Sequence, residues 1–361
     1  MGKKILTINL GTTSTRVSLY DGENMLAKKD LYHPDSELKA FTQAQHVERR
    51  SAMVIEWMGE YGVKPETLDA IAMRIATLPK PVLGGTFLVE GALKADVSSR
   101  YAPDKPLSHG TDITVAMADV VCAGRNIPYY VVEPANQNNM IDEARITGLP
   151  LIQRTTTFHA LNQKSVAHVQ AEKLGKKYRD CNFVVAHLGG GISVSAHQHG
   201  RVIDTNNCGG DEGAFSGNRT GTLPALQLVQ LCFSGKYKFE EIIGMLVWKG
   251  GVSAYLGTSD MREVEARVDA GDEQAALMFR TVAYRTAKEI GALCAAMDGE
   301  LDGIILTGGM SHSKKMCEMI TKKVGGFAPV SIYPGERESE ALAEGALRII
   351  NHEEELAVYP G

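Results

Sequence analysis

The sequence lacks the features that mark nucleic-acid-binding and membrane proteins. Lys and Arg number 38 against 43 Asp and Glu, which gives a net charge of −5 at pH 7. Binding to nucleic acid requires clustered Lys and Arg that displace counterions, so this balance argues against such a partner. No run of about 18 apolar residues occurs, so we expect no membrane-spanning helix. The basic and then apolar N-terminus is interrupted by Asn9 and leads into a glycine turn, which favours a strand over a signal peptide.

The sequence also lacks close cysteine pairs and the common nucleotide motifs. It contains no Walker A pattern and no G-x-G-x-x-G after a strand, so neither a P-loop ATPase nor a Rossmann dehydrogenase is supported. Scattered cysteines are typical of reduced thiols in a cytoplasmic protein, with a metal–thiolate role as the alternative to that interpretation. The six cysteines are Cys122, Cys181, Cys208, Cys232, Cys294 and Cys317.

Two pairs of segments along the chain resemble each other and indicate an internal repeat. Its 361 residues, 44% of them hydrophobic, suffice for two domains. Residues 5–10 and 183–188 are apolar runs, each followed by a glycine turn and a returning strand. Residues 68–73 and 301–306 both read as buried strands that follow helical stretches. The common order of hairpin, helix and strand indicates a duplication, to which chance similarity of short apolar runs is the alternative.

Helical periodicity is clearest in three segments. A long helix is predicted to start in Thr157–Lys164, a second to span Ala275–Met297, and a third, Ser339–Ile350, to close the chain. The last has acidic residues early and Arg348 late, as the helix dipole favours. Strands that alternate with helices predict an α/β architecture in which helices cover the sheets. No low-complexity linker separates the halves, so we expect closely joined domains with a cleft between them.

Both glycine turns offer the groups that bind phosphate. A polyphosphate is bound best by backbone N–H groups that approach closely, which requires glycine, together with hydroxyls and a cation. A single glycine turn is more often an ordinary hairpin, but two related turns favour phosphate binding. The candidate residues are Gly11, Thr12, Ser14 and Arg16 in the first turn, and Gly189, Gly190 and Gly191 with Ser193 in the second.

Seven short stretches are distributed along nearly the whole chain: Thr7–Thr15, Phe158–Lys164, His187–Ser193, Arg219–Pro224, Tyr255–Asp260, Leu306–Gly309 and Tyr333–Glu336. In their combination and order they resemble the acetokinase family, and within it the butyrate kinase group. The family belongs to the superfamily of sugar kinases and actin, so the resemblance implies two duplicated ribonuclease H-like domains of the actin-like ATPase type with an interdomain cleft. It implies an acyl-substrate-side domain at residues 1–153 plus about 340–361, and a nucleotide-binding domain at 154–339.

The resemblance implies a reversible, Mg²⁺-dependent transfer of phosphate from ATP to a short-chain fatty acid, such as butyrate or a related acid. The products are ADP and an acyl phosphate. The resemblance further implies a role in fatty acid metabolism and a homodimer or a higher homo-oligomer. Arg219 is expected to contact the transferring phosphoryl group and the carboxylate, and His187 to donate a hydrogen bond to that phosphoryl group.

Further roles follow from the same resemblance. Arg74 and His109 are expected to bind the acyl substrate, and Glu133 to act on Mg²⁺ or on the substrate. The remaining expected positions lie near the nucleotide: Asn9 orients the Mg²⁺-phosphate with Glu336 and Glu338 as further metal ligands, while Gly308 and Gly309 let the nucleotide approach the backbone.

Four stretches of the chain depart from the family pattern, all toward the substrate or the metal. Glu133 replaces an aspartate, a shift of roughly an ångström that can cost about 10²-fold in rate, and amides replace the acidic pair that follows it. Arg74 is flanked by Ile75 and Ala76 where the family has glycines. Arg337 stands at an acidic position, and Asp112 at an asparagine. These departures predict that nucleotide binding is retained while catalysis or acid specificity is changed.

Two alternative functions share the fold. A family member with weak or lost catalysis would bind nucleotide as a sensor or scaffold, and differs from the kinase at Glu133 and the Arg74 loop. A sugar kinase is disfavoured, because sugar kinases need an aspartate base to deprotonate a hydroxyl, whereas a carboxylate is already ionised.

Overall fold

The computed structural model describes residues 2–210 and 212–361, and contacts divide the chain into two units. The first runs to Asn138 and resumes with Arg337–Gly361, and the second is Asn139–Glu336. Each is an α/β unit built on one mixed sheet, which confirms the predicted fold class. The domain boundaries predicted from the sequence lie at 153/154 and about 339/340. Which substrate each unit binds stays a prediction. No helix within the described residues has the length and apolarity needed to cross a membrane.

Six strands form the sheet of the first unit: β1 (Lys4–Leu10), β2 (Ser14–Asp21), β3 (Asn24–Tyr32), β4 (Ala70–Arg74), β5 (Thr86–Leu88) and β6 (Tyr129–Val132). Their order is β3-β2-β1-β4-β6-β5, in which β1, β4 and β6 are parallel. The apolar residues of β1 and β4 are buried on both sheet faces, as expected for parallel strands that helices cover.

Four helices of this unit precede β6: α1 (Asp35–Ala40), α2 (Gln43–Glu60), α3 (Gly91–Ser98) and α4 (Thr114–Cys122). A capping box starts α2, because the Thr42 side chain accepts from the Gln45 amide while the Gln45 side chain accepts from the Thr42 amide. α2 packs on α4 and contacts β2. This packing brings the middle of α2 beneath the turn between β1 and β2.

Five strands form the sheet of the second unit: β7 (Asn182–Leu188), β8 (Ile192–Gln198), β9 (Arg201–Thr205), β10 (Gly303–Gly308) and β11 (Val330–Pro334). Their order is β11-β10-β7-β8-β9. The first sheet has the same arrangement from β6 to β3, with an antiparallel hairpin on one side of the first strand and parallel strands on the other. The strand order therefore confirms the predicted duplication.

The register of the two sheets makes the correspondence residue by residue. Asn9 on β1 lies opposite Arg16 on β2 and Arg74 on β4. His187 on β7 likewise lies opposite Ser193 on β8 and Thr307 on β10. Asn9 and His187 thus occupy equivalent positions, one residue before the end of the first strand of each unit.

Helices complete the second unit, and the last one belongs to the first. They are α5 (Asp142–Arg145), α6 (Ala160–Lys173), α7 (Ala225–Cys232), α8 (Phe239–Val247), α9 (Gly251–Leu256), α10 (Met261–Asp269), α11 (Glu273–Ala296), α12 (Lys314–Val324) and α13 (Glu338–Ile350). The three predicted helices correspond to α6, α11 and α13. α13 packs on β1, β4 and β6. All six cysteines are free thiols, and only Cys232 is exposed.

Candidate active site

The second glycine turn, between β7 and β8, leaves no room for a side chain at Gly189 or Gly191. The Gly189 amide donates to the Gly191 carbonyl at 3.2 Å. A Cβ atom at Gly189 would lie 2.8 Å from His187 Nε2, and one at Gly191 would overlap the Arg219 guanidinium. Glycine is required at both positions because His187 and Arg219 occupy the space beside the turn. The structure therefore brings these predicted residues together.

The hydrogen bonds of His187 define which ring nitrogen carries the proton. Thr307 Oγ1 donates to the Gly335 carbonyl at 3.2 Å, and therefore accepts from Asn162 Nδ2 at 3.1 Å. The same Asn162 amide group lies 3.0 Å from His187 Nδ1, which must then be the acceptor. The hydrogen of the neutral imidazole is consequently on Nε2.

This Nε2–H group of His187 is buried and lacks a hydrogen-bond acceptor among the described residues. Glu336 Oε1 lies 3.4 Å away but accepts no hydrogen bond from it. Leaving a buried donor unpaired costs about 1–3 kcal/mol, a penalty that a bound acceptor removes. The group is therefore a preformed donor for an anionic ligand at the glycine turn.

A second histidine, His159, stacks on His187. The ring centroids are 3.7 Å apart and the planes differ by 4°. Gln163 Nε2 donates to Ser193 Oγ at 2.8 Å, and the Ser193 hydroxyl also forms a hydrogen bond with His159 Nδ1 at 2.8 Å. These bonds hold the His159 ring in its stacked position. The sequence reasoning assigned no role to His159, although it lies in the family-like stretch that begins at Phe158.

Arg219 lies in the loop between β9 and α7, and backbone contacts hold it beside the turn. Its Nη1 donates to the Cys208 carbonyl, and its own carbonyl accepts from the Ser216 amide at 3.0 Å. Ser216 Oγ donates to the Gly190 carbonyl at 2.5 Å, which joins the loop to the glycine turn. Arg219 Nε is buried without a partner among the described residues, so it too can donate to an anion.

Arg154 anchors the start of this loop through partly buried ion pairs. Its guanidinium pairs with both oxygens of Glu212, at 3.0 and 3.1 Å, and with Asp204 at 3.0 Å. Glu212 also accepts from the Asn207 amide at 2.9 Å. Burial opposes the charge of Arg154, but the two carboxylates outweigh it and raise its pKa above the usual range. The cluster orders the loop that carries Arg219, and no sequence motif indicated it.

Gly308 is the last residue of β10 and Gly309 follows it, next to the same turn. Gly308 has φ = +90°, and a Cβ atom there would lie 2.6 Å from the Leu188 carbonyl oxygen, so only glycine fits. His187, Gly308 and Glu336 stand at or just beyond the carboxyl ends of three neighbouring parallel strands, β7, β10 and β11. Ligands of open α/β sheets bind at this edge. The predicted residues of the second unit thus form one group.

The first glycine turn, between β1 and β2, is the counterpart in the first unit. The Gly11 amide donates to the Ser14 carbonyl at 2.8 Å, and Thr12 is exposed. Arg16 lies on β2, where its guanidinium forms a two-pronged bond with Asp30 at 2.7 and 3.2 Å. That hydrogen bond lowers the pKa of Asp30. The charge of Arg16 is therefore shared with Asp30, while the turn itself presents its amides and hydroxyls.

Asn9, Arg74 and Glu338 form a polar cluster at the carboxyl edge of the first sheet. Glu338, the first residue of α13, accepts from Asn9 Nδ2 at 2.7 Å and pairs with Arg74 Nε at 3.1 Å. The carboxylate fixes the orientation of both side chains and offsets part of the charge of Arg74. The Arg74 side chain remains 33% exposed, so its guanidinium is accessible to an acidic ligand.

Glu133 follows β6 at the same sheet edge. Its backbone has φ = +44°, a left-handed conformation that is strained for a residue with a side chain. The Glu133 amide donates to the Gly85 carbonyl at 2.9 Å, and Oε2 accepts from Gln137 Nε2 at 2.6 Å. Such strain persists only where surrounding bonds hold it, and it is common at functional sites.

His109 is placed against the first glycine turn by the residue that follows it. A Cβ atom at Gly110 would lie 2.6 Å from the Leu10 carbonyl oxygen and 2.8 Å from that of Gly11. His109 Nδ1 accepts from the Thr111 amide at 3.2 Å. Asp112, one of the departures from the family pattern, accepts from the His109 amide at 3.0 Å and so caps this short helical turn.

The other departures have structural partners. Ile75 is fully buried in the core of the first unit. Asn138, the first of the two amides that replace the acidic pair after Glu133, donates its backbone N–H to the Val82 carbonyl at 2.7 Å. Arg337 pairs with Glu344 of α13 at 2.5 Å. Ile75, Asn138 and Arg337 are therefore integrated into the first unit.

The residues fit a Mg²⁺ ion that arrives with a nucleotide. The described part of the chain contains no group of three His, Cys, Asp or Glu side chains that could hold a resident metal. In the first unit the side-chain oxygens of Asn9 and Glu338 lie close together and could serve as ligands, and in the second unit the carboxylate of Glu336 could do so. Protein-bound Mg²⁺ is usually held by one or two carboxylates together with substrate phosphates.

Known proteins are similar to this chain in sequence and in fold. Residues 144–356 match the acetokinase family. The chain is 41% identical over 357 residues to "Probable butyrate kinase 2" of Caldanaerobacter subterraneus subsp. tengcongensis, with 99% of each chain covered.

Solved structures share the fold at lower identity. Acetate kinase of Porphyromonas gingivalis matches with a TM-score of 0.78 at 20% identity, covering 97% of this chain and 100% of that one. A propionate kinase from Francisella tularensis subsp. tularensis matches with a TM-score of 0.74 at 19% identity, covering 95% and 98%.

Proposed function

The chain belongs to the acetokinase family, and on that basis we propose that it transfers a phosphoryl group from ATP to a short-chain carboxylate. The products are ADP and an acyl phosphate, and the reaction is reversible. The observation that supports this most directly is the buried, unpaired Nε2–H of His187 beside a triple glycine turn and Arg219. Phosphoryl transfer requires little beyond positioned donors and cations around the equatorial oxygens, and this group of residues offers both.

His187 acts in this proposal as a neutral hydrogen-bond donor. Because His187 Nδ1 accepts from the Asn162 amide group, the ring hydrogen of His187 stays on Nε2. There it is donated to an oxygen of the transferring phosphoryl group. Arg219 balances the charge on the same group, and the backbone N–H groups of Gly189–Gly191 bind the adjacent phosphate oxygens. The acceptor carboxylate is ionised at neutral pH, so no side chain needs to remove a proton from it.

The first unit supplies the proposed acceptor site. Arg74, oriented by Glu338, balances the charge of the acceptor carboxylate. His109 donates to the acyl phosphate, and Glu133, held by Gln137, acts beside it. The first glycine turn, with Gly11, binds phosphate through its amides. Asn9 and Glu338 of the first unit, and Glu336 of the second, would be the residues that hold Mg²⁺, and the ion would supply charge neutralisation to the phosphates of the nucleotide.

We propose butyrate or a related short acid as the acceptor, because the relative of 41% identity carries the butyrate kinase name. The test is trapping of acyl phosphate with hydroxylamine across a panel from acetate to valerate, in the presence of MgATP. We expect hydroxamate from at least one acid, with four-carbon acids fastest. Tight MgATP binding without hydroxamate from any acid would rule out the kinase, and faster phosphorylation of hexoses would favour a sugar kinase.

We also propose a homodimer in the cytoplasm. Large apolar side chains of α7, α8 and their flanking loops are exposed, a pattern typical of protein interfaces. They include Leu226 at 79%, Phe233 at 86%, Phe239 at 75% and Trp248 at 65%. The six free thiols support a reducing compartment.

A further inference from the structure

A fully buried arginine lies directly beneath the first glycine turn. Arg50 on α2 is 0% exposed. Its Nη1 donates to the Gly11 carbonyl at 2.9 Å and its Nη2 to the Thr12 carbonyl at 2.7 Å. Its Nε is buried and has no hydrogen-bond partner among the described residues. Within the described part of the chain, the guanidinium therefore bonds only to the backbone of the turn.

No carboxylate of the described residues forms an ion pair with Arg50. Glu37 is the acid that favours its charged form, but Glu37 pairs with the exposed Arg49 at 3.6 Å. Burial lowers the pKa of Arg50 to about 10, so the side chain is still charged at neutral pH. A buried charge without a counter-ion is costly, and proteins rarely retain one that has no use.

Two buried histidines beside Arg50 do not supply the missing negative charge. His33 Nδ1 and His46 Nε2 are buried without partners among the described residues. Burial, and then the charge of Arg50, lower the pKa of both rings, that of His33 to about 4. They stay neutral at pH 7 and leave the positive charge of Arg50 unbalanced.

The two hydrogen bonds determine how the turn faces its ligand. In a trans peptide the C=O and N–H groups point in opposite directions. Because Arg50 binds the carbonyls of Gly11 and Thr12, the amides of Thr12 and Thr13 must point away from it. Gly110 packs against the carbonyl oxygens of Leu10 and Gly11 and restrains the same peptides.

We propose that Arg50 is a positioning residue of the first turn, and that a substrate phosphate group is the counter-ion that its charge lacks. By holding the carbonyls of Gly11 and Thr12 beneath the turn, it directs the amides that follow toward a phosphate and keeps the carbonyl oxygens away from it. Its charge adds attraction through the turn. The inference rests on the proposed function, because it requires a phosphate-bearing substrate.

Arg50→Met, Arg50→Lys and the matched control Arg49→Met test the inference. Arg49 is the adjacent residue with the same charge, but it is exposed and lies beside Glu37. Calorimetry of the full-length protein compares MgATP with adenosine, and butyryl phosphate with butyrate. We expect Arg50→Met to weaken the binding of at least one phosphate-bearing ligand about 10- to 100-fold. The affinity for the matching phosphate-free ligand should stay within about twofold of the wild-type value. Arg49→Met should change neither.

The controls separate this role from a structural one. A general defect in folding would weaken the binding of adenosine and butyrate as well as that of the phosphate-bearing ligands, and this result would overturn the inference. Arg50→Lys retains the charge but cannot bond both carbonyls in a fork, so we expect about tenfold weaker binding; this variant decides the matter if Arg50→Met does not fold. Wild-type affinity in the decisive variant overturns the role of Arg50 alone. Absence of binding to the wild type would instead refute the proposed function.

Discussion

Replacing His187 by Gln is expected to lower the activity far less than replacing it by Ala. The Gln amide places an N–H group near the position of the imidazole Nε2–H, so the donor to the phosphoryl group is retained. Ala removes that donor and leaves the Asn162 amide group without the acceptor that it has at 3.0 Å. Loss of one preorganised donor costs about 10²–10³ in kcat. We expect that loss for His187→Ala and a loss of about tenfold or less for His187→Gln.

The assay is hydroxamate formation at saturating MgATP and acid, which gives kcat separately from KM. If the Gln variant is as slow as the Ala variant, His187 does not act as a neutral hydrogen-bond donor. It must then act as a charged imidazolium or transfer a proton in the reaction. A second arm tests Asn162. Asn162→Asp can only accept from His187 Nδ1, so Nε2 loses its hydrogen in the neutral ring. The Asn162→Asp substitution should lower kcat when it is made in the wild-type protein and have little further effect when it is added to the His187→Gln variant.

Two further predictions concern stability and the glycine turn. Burial lowers the pKa of His33 to about 4 and that of His197 to about 3, whereas unfolded histidines titrate near 6.5. Below pH 6.5 the unfolded chain therefore binds more protons than the folded one, so the free energy of unfolding decreases as the pH is lowered. Each of the two histidines should account for a decrease of about 2 kcal/mol between pH 7 and pH 5. Urea titrations should show this loss and a smaller one in His197→Gln; equal midpoints at both pH values would contradict it. Gly191→Ala, which displaces Arg219, should lower kcat about 10²-fold, unlike Gly326→Ala, whose Cβ meets nothing within 4 Å, and equal rates would refute the steric argument.

The hairpins and the main helices were predictable because their signals are local. An apolar run, a glycine turn and an alternating run specify a hairpin within about 20 residues of chain. The start of α6 was less accurate, because Thr157–Lys164 reads as one helical stretch. His159 instead has φ = −82° and ψ = 56°, and its amide bonds to Ser193 Oγ at 3.4 Å, so the helix begins at Ala160. A contact outside the segment thus moved its boundary.

The glycine turns and their strands follow from residue order alone, whereas His187, Arg219 and Arg74 were singled out by the resemblance to the acetokinase family. The surroundings that give these residues their chemistry follow from neither. Arg50 meets Gly11 across 39 residues, and Asn162 meets Thr307 across 145. Ile141 likewise joins the second unit through a bond from its amide to the Ile203 carbonyl at 3.0 Å. Such contacts depend on which faces of the sheets and helices pack together, and no local periodicity encodes that choice. Tertiary packing therefore decided the imidazole tautomer and the buried charge beneath the first turn.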